Sequence, residues 1–263
     1  MSETIRLYTL AMSHFCEKAR WALDRTGVEY REVILMPGFH RKPMKALGGC
    51  GQVPVLRAGA RVIEGSGAIL DFADSLGGAP PLSPSDPALR AEALEWESYL
   101  DREVGETVRR VLYYRLFGHP RLLIRAWTRG LSFWAPPLYW LMRARAVRVV
   151  SRSLDIDGAS VARDEQRLQE AFERVSQHLA ERRFLVGDSF SRADLTLAAL
   201  SSPLLRPVEH PWPLPEFRSE IPAVDELVRR LSATRAGEHA VASYARRRPD
   251  TAIGRSLRSV LTV

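Results

Sequence analysis

Cysteine is scarce in this chain, with only Cys16 and Cys50 among 263 residues. Two thiols exclude a disulfide framework as the organising principle, leave thiol chemistry open, and fit a reducing, cytoplasmic setting. No long apolar run is present. The most apolar passage, Leu131 to Met142, is too short to span a bilayer and contains Pro136-Pro137. The first residues lack a basic segment followed by an apolar one, so no secretory signal is expected. Lysine is nearly missing too, standing only at positions 18, 42 and 45. The net charge of +7 is therefore carried by arginines spread along the chain. With no recognition motif beside it, this charge does not point to nucleic acid, although a positive field attracts small anionic ligands. There is no internal repeat and no low-complexity tract.

What is present is enough apolar material for a substantial core, at 46% of residues. Ile5 to Leu10 reads as a strand and Cys16 to Thr26 as a helix closed by Gly27. Val28 to Leu35 reads as a second strand, parallel to the first through a right-handed crossover. A short helix near Pro43 to Leu47 follows. Val53 to Arg57 and Arg61 to Ile63 flank Ala58-Gly59-Ala60 as a hairpin, and Ser66 to Leu76 keeps a helical period. The order βαβαββα defines an α/β domain over 1–77. Residues 78–87, rich in proline, form a linker that cannot continue a helix. Beyond it 88–249 reads as all-α: Ala88 to Phe117, a proline-kinked passage from Leu122 to Val150, Val161 to Arg182, Arg192 to Leu205, Ala223 to Ser232 and Gly237 to Arg247. Residues 250–263 form a tail, either an ordered strap or disordered.

Three places carry candidate chemistry. The first is Ser13-His14-Phe15-Cys16-Glu17-Lys18-Ala19-Arg20, where a strand passes into a helix whose free N–H groups favour an anion. Ser13 either caps the helix or donates its hydroxyl hydrogen to a bound thiolate. Cys16, in the first turn, is expected to have a depressed pKa. Lowering a thiol from about 8.5 to about 6.5 requires roughly 2.7 kcal/mol. One charge-assisted hydrogen bond of about 1.5 to 3 kcal/mol plus a helix terminus of up to about 1 kcal/mol suffices. His14 reads as an exposed loop residue.

The second is Gln52-Val53-Pro54-Val55, where a proline opens an apolar strand. A cis bond there would turn the Val53 backbone outward toward a peptide-like ligand; an ordinary strand-initiating proline is the alternative. The third is Glu64-Gly65-Ser66, where Ser66 either caps a helix or holds a carboxylate with the help of its N–H groups.

Together these segments resemble the glutathione transferase superfamily. Ser13-x-Phe15-Cys16-Glu17-x-x-Arg20 resembles its first-helix motif, Val53-Pro54-Val55-Leu56 its cis-proline segment, and Ser66-Gly67-Ala68-Ile69 its γ-glutamyl-binding turn. Phe184-Leu185-Val186-Gly187-Asp188-x-Phe190-Ser191-x-Ala193-Asp194 resembles its helix-capping motif. The resemblance implies a thioredoxin-like domain followed by an all-helical domain, in a chain that typically forms homodimers. It implies glutathione as co-substrate, no metal, and conjugation of the glutathione thiolate to a small hydrophobic electrophile. It assigns the glutathione sulfur to Ser13, the backbone clamp to Val53 and Pro54, the γ-glutamyl carboxylate to Ser66, and the glycyl end to Gln52; because some classes use a tyrosine of the first strand, it also makes Tyr8 a minor candidate for the sulfur. Two departures stand out. Gly65 replaces the acid usual before the serine, with Glu64 one residue earlier, and a serine occupies the position of the nucleophilic cysteine in omega-like members. Cys16 then falls at the second-cysteine position, and keeps a thiol reductase, or a non-catalytic binding protein, as alternatives.

Electrophiles would sit between the domains. Trp96, Tyr99, Tyr113, Tyr114 and Phe117 are spaced to face inward, while Trp127, Phe133, Trp134, Tyr139 and Trp140 crowd the kinked passage. Most are expected in the core. The Leu131 to Met142 passage, between Arg129 and Arg143, is also compatible with a lid or with contact to a membrane surface, the latter not the expected case.

Overall fold

The computed structural model describes residues 4–77, 80–210 and 221–247, and the backbone of 259–260. Strands β1 (Ile5–Thr9), β2 (Tyr30–Ile34), β3 (Val55–Ala58) and β4 (Arg61–Glu64) interleave with α1 (His14–Thr26), α2 (Arg41–Ala46) and α3 (Ser66–Leu76). The βαβαββα order is thus observed. β1 runs parallel to β2 and antiparallel to β3, and a two-residue strand β5 (Ser259–Val260) extends the sheet to the order β4-β3-β1-β2-β5. The rest of the tail lies outside the described residues, as do 78 and 79 of the linker.

Alternation along the strands divides the core. Leu7 and Leu56, paired across the sheet, pack with Trp21, Ile69 and Leu70 on the side of α1 and α3. Tyr8, Val33 and Val55 point the other way, where Leu35 and Met44 complete a smaller cluster. Period-two alternation in a sheet covered on both faces produces this division. Tyr8 is therefore a core side chain.

The helical domain comprises α4 (Pro87–Leu100), α5 (Thr107–Phe117), α6 (Pro120–Trp127), α7 (Ala135–Leu154), α8 (Gly158–His178), α9 (Arg192–Leu205), α10 (Pro222–Ser232) and α11 (Arg235–Ser243). The single helix expected over 88–117 is interrupted by a π-helical segment, Asp101–Glu106. Gly105 is required there, because a Cβ at this position would lie 2.6 Å from the Phe15 ring of α1. No helix among the described residues is long and apolar enough to cross a membrane.

At the start of α9 the Ser191 and Asp194 capping box forms as its spacing predicts. Asp194 also accepts from the Leu185 N–H at 2.9 Å and from His239 at 2.8 Å, so one carboxylate ties the preceding loop and α11 to the central helix.

The two domains meet across α1, which is buried nearly all round although it carries Glu17, Lys18, Arg20 and Asp24. A buried charge persists only when it is paired. Lys18 lies 2.7 Å from both Glu97 and Asp101 of the helical domain. Glu97 in turn meets Arg192 at 2.5 Å, and Arg192 reaches back to Asp71 of α3 at 2.6 Å. Arg20 holds Glu32 of β2 at 2.6 Å. Arg247, after α11, pairs with Glu17 and with Asp24 at 2.7 Å.

Removing Arg192 leaves Glu97 buried beside a single cation. Arg192→Met is expected to cost about 3–5 kcal/mol in denaturant unfolding. Asp71→Asn, at the solvent end of the same chain of pairs, should cost under about 1 kcal/mol.

Candidate functional site

The site is built where β1 runs into α1. Ser13, at φ −79° and ψ 118°, is the N-cap: its Oγ accepts from the Cys16 N–H at 3.3 Å. Accepting that bond leaves the hydroxyl hydrogen available to donate, and the Cys16 sulfur lies within its reach. The two readings of Ser13 are therefore compatible, since its oxygen caps the helix while the same hydroxyl can still donate.

His14 is not an exposed loop residue. It is the first residue of α1, buried, and its Nε2–H donates to the Gly105 carbonyl of the π-helical segment at 2.8 Å. Burial, assisted by the nearby Arg109 charge, lowers its pKa to about 3. The imidazole is neutral throughout the physiological range and positions α1 against the helical domain.

The expectation for Cys16 is corrected. The side chain turns inward and is 0% exposed. Burial pushes its thiol pKa up, with Arg20 and the Ser13 hydrogen bond opposing that rise only in part. A helix N-terminus stabilises a thiolate only at a site where the rest of the surroundings do not remove water from it.

The Val53-Pro54 bond is cis. Strand β3 begins only at Val55, so the pair stands just before the sheet. Val55 lies opposite Tyr8, and continuing that register carries Pro54 and Val53 alongside Thr9 and Leu10, the approach to Ser13. The Pro54 carbonyl accepts from the Gly65 N–H at 3.0 Å, which brings the head of α3 to the same edge.

There the expected cap by Ser66 is also corrected. Gly65, at φ +91°, is the cap residue, and Ser66 is the first residue of the helix, buried, with its hydroxyl unused as a cap. A backbone in this left-handed region suits glycine, which gives Gly65 a conformational reason in place of the missing acid.

Glu64 folds over the loop before the cis-proline. It accepts from the Cys50 N–H at 2.8 Å, the Gln52 N–H at 3.3 Å and the Cys50 thiol at 2.9 Å. These bonds hold its carboxyl below the usual range despite some burial. The Gln52 side chain is exposed at the rim of this loop.

The helical domain contributes a wall of core aromatic side chains where it meets the first domain. Tyr113 faces Trp127 at 6.0 Å, Trp127 faces Tyr139 at 5.8 Å, and the Tyr139 hydroxyl donates to the Pro37 carbonyl beyond β2. Leu131 packs on Ala11 and Ile34. Trp96 and Tyr99 instead face α8, beside His178 and Arg174, and Tyr114 is exposed.

At the end of this wall nearest α1 is Arg109, a residue the sequence did not single out. Its guanidinium lies 5.7 Å from the Phe15 ring centroid, and its Nε is buried without an acceptor. No carboxylate lies within ion-pair distance among the described residues; burial lowers its pKa, with Tyr113 and Glu106 acting the other way. Only contacts between domains reveal it, because its neighbour Arg110 takes Asp164 at 2.5 Å.

Family models for the N-terminal and C-terminal domains of glutathione S-transferase match residues 7–81 and 139–234. The chain is 30% identical over 207 residues to the tetrachloro-p-hydroquinone reductive dehalogenase of Sphingobium chlorophenolicum, covering 74% of this chain and 81% of that protein. Among solved structures it resembles the beta-etherase LigF of Sphingobium sp. strain SYK-6, with TM-score 0.59, 20% identity, and coverage of 91% of this chain and 99% of that one. It also resembles the theta class transferase of Xanthomonas axonopodis pv. citri with glutathione bound, with TM-score 0.55, 22% identity, and coverage of 91% and 97%.

Because His14 is neutral when folded and ordinary when unfolded, the unfolded chain binds the extra proton below about pH 6.5. Stability is then lost as pH falls from 6.5 toward 3. From pH 7 to pH 5 this group should remove about 2 kcal/mol. His14→Gln, which keeps a donor for Gly105, should flatten that part of the slope in unfolding titrations at the two pH values.

Proposed function

Since the chain belongs to the glutathione S-transferase superfamily, we propose that it binds glutathione along the Ser13, Val53-Pro54 and Ser66 edge and uses the glutathione thiolate as a nucleophile on an aromatic electrophile. The observation that carries this reading is the Ser13 hydroxyl at the head of α1, on the same edge as the cis Val53-Pro54 bond. The domain division is taken at the 78–87 linker, with 1–77 as the glutathione-binding half and 88–249 as the half that shapes the electrophile site.

In this reading Ser13 donates to the sulfur anion, and the N–H groups of the first α1 turn add their partial positive charge. The Val53 N–H and C=O pair with the peptide backbone of glutathione as a neighbouring strand would. Ser66 and the first N–H groups of α3 receive the γ-glutamyl carboxylate, and Gln52 lies at the glycyl end. Glu64 acts indirectly, by fixing the loop that presents Gln52 and Val53. In the chemical step the sulfur forms a bond to the electrophilic carbon, and a halide or an aryloxide departs with its bonding pair. A departing halide fits the name of the dehalogenase relative, and cleavage of an ether that of the etherase neighbour.

Arg109 narrows the electrophile. A partly buried guanidinium without a carboxylate partner, at the end of an aromatic wall, suits an aromatic substrate that carries an ionised phenol or carboxyl group. The substrate in the name of the curated relative, a chlorinated hydroquinone, has that character. Burial of the Cys16 side chain argues against direct attack by its sulfur, and so favours conjugation over the reductase reading.

Ser13→Ala should lower kcat/KM for glutathione and an aryl halide about 10- to 100-fold and raise the pKa of bound glutathione, because one charge-assisted hydrogen bond is lost. Cys16→Ala should stay within about threefold of wild type. The reverse pattern in these two variants would move the chemistry to Cys16. Arg109→Met should raise KM about tenfold or more for a halogenated phenolate and leave that for a neutral aryl halide little changed; equal effects on both would remove Arg109 from substrate recognition.

A further inference from the structure

The segment from Thr107 to Leu154 contains no aspartate and no glutamate, yet holds arginines at 109, 110, 115, 121, 125, 129, 143, 145, 148 and 152. The charge of the chain is therefore concentrated, although its arginines are spread. Six of these side chains, Arg121, Arg125, Arg143, Arg145, Arg148 and Arg152, are exposed. None of the six forms an ion pair with a described residue.

The same region carries the most exposed large aromatic group in the described structure. Phe133 is 93% exposed, Leu141 82% and Trp140 44%. At 100° per residue, Pro137, Trp140, Leu141 and Ala144 share one face of α7, with Arg143 on one flank, Arg145 on the other and Arg148 continuing the face itself one turn beyond Ala144. The opposite face is anchored by the buried Tyr139, which reaches the Pro37 carbonyl. Arg143 lies 4.8 Å from the Trp140 ring centroid and donates to the Trp140 carbonyl at 2.9 Å.

We propose that α7 and the loop that leads into it dock on an anionic phospholipid surface, with Phe133, Trp140 and Leu141 entering the headgroup boundary and Arg143, Arg145 and Arg148 bound to lipid phosphates. Two physical points favour this occupant. Apolar and indole side chains gain by leaving water only where an apolar layer receives them, while guanidinium groups one turn away need phosphate oxygens at the same depth. A second copy placed by a two-fold axis would set the arginine rows against themselves, and the chain offers no acidic residue on α7 to relieve them. A nucleic acid would satisfy the arginines and leave Phe133 and Leu141 in water.

The test is co-sedimentation of the full chain with vesicles of phosphatidylcholine alone and with about one-third phosphatidylserine. Binding is expected only to the anionic vesicles, and should weaken at high salt. The triple variant Arg143→Gln, Arg145→Gln, Arg148→Gln should bind roughly 100-fold more weakly, at about fivefold for each arginine. The pair Phe133→Ser and Leu141→Ser should also lose vesicle binding while keeping the charge. Both variants alter exposed side chains, and unchanged circular dichroism and glutathione affinity would show that each is folded. Equal pelleting with neutral and anionic vesicles overturns the proposal. So does retention of vesicle binding by the Phe133 and Leu141 pair, which would leave a general polyanion site. No vesicle binding, together with a dimer in sedimentation equilibrium that dissociates in that pair, would make the face a subunit contact instead.

Discussion

The chain of buried ion pairs through α1 is the constraint on which the rest depends. A helix wedged between a sheet and a second domain cannot expose its polar residues. Glu17, Lys18, Arg20 and Asp24 must each meet a partner from another element, and those partners come from β2, α4, the π-helical segment and the residues after α11. Satisfying one helix therefore fixes the relative placement of both domains. Unpaired, any of these charges would be far more costly than a missing apolar contact.

The site inherits its geometry from that helix. Ser13 caps the helix with a hydroxyl that can still donate, while His14 and Gly105 set the end of α1 against the helical domain. The cis Val53-Pro54 bond and the Glu64 carboxylate shape the opposite edge. Little of this requires an ionisable group at work in the free protein. His14 is held neutral and the Cys16 thiol is pushed up. What remains at the edge is a set of donors, suited to binding an anion supplied from outside.

The aromatic residues show how far periodicity leads. Spacing places Trp96, Tyr99 and Tyr113 on helices with inward faces, but a helix in a bundle has more than one inward face. Trp96 and Tyr99 serve the packing of α8, and only Tyr113 joins the wall that runs through Trp127 and Tyr139 toward the sheet. The proline-kinked passage resolves into α6 and α7, with Leu131 and Tyr139 pinned to the first domain.

Signals that act over a few residues were readable in the sequence by itself. Ser13 and Gly27 bound α1, Ser191 and Asp194 close a capping box, the strand alternation sorts the two faces of the sheet, and four motifs in order identify the superfamily. Each depends on hydrogen bonds or periods within one element, so neighbours in sequence suffice. Only the tertiary structure decided that Cys16 is buried, that His14 is neutral, that Gly65 caps α3 while Ser66 begins it, and that Arg109 meets no carboxylate among the described residues. These depend on which surfaces lose water and which charges come together when residues far apart in the chain meet, and burial of that kind leaves no local mark.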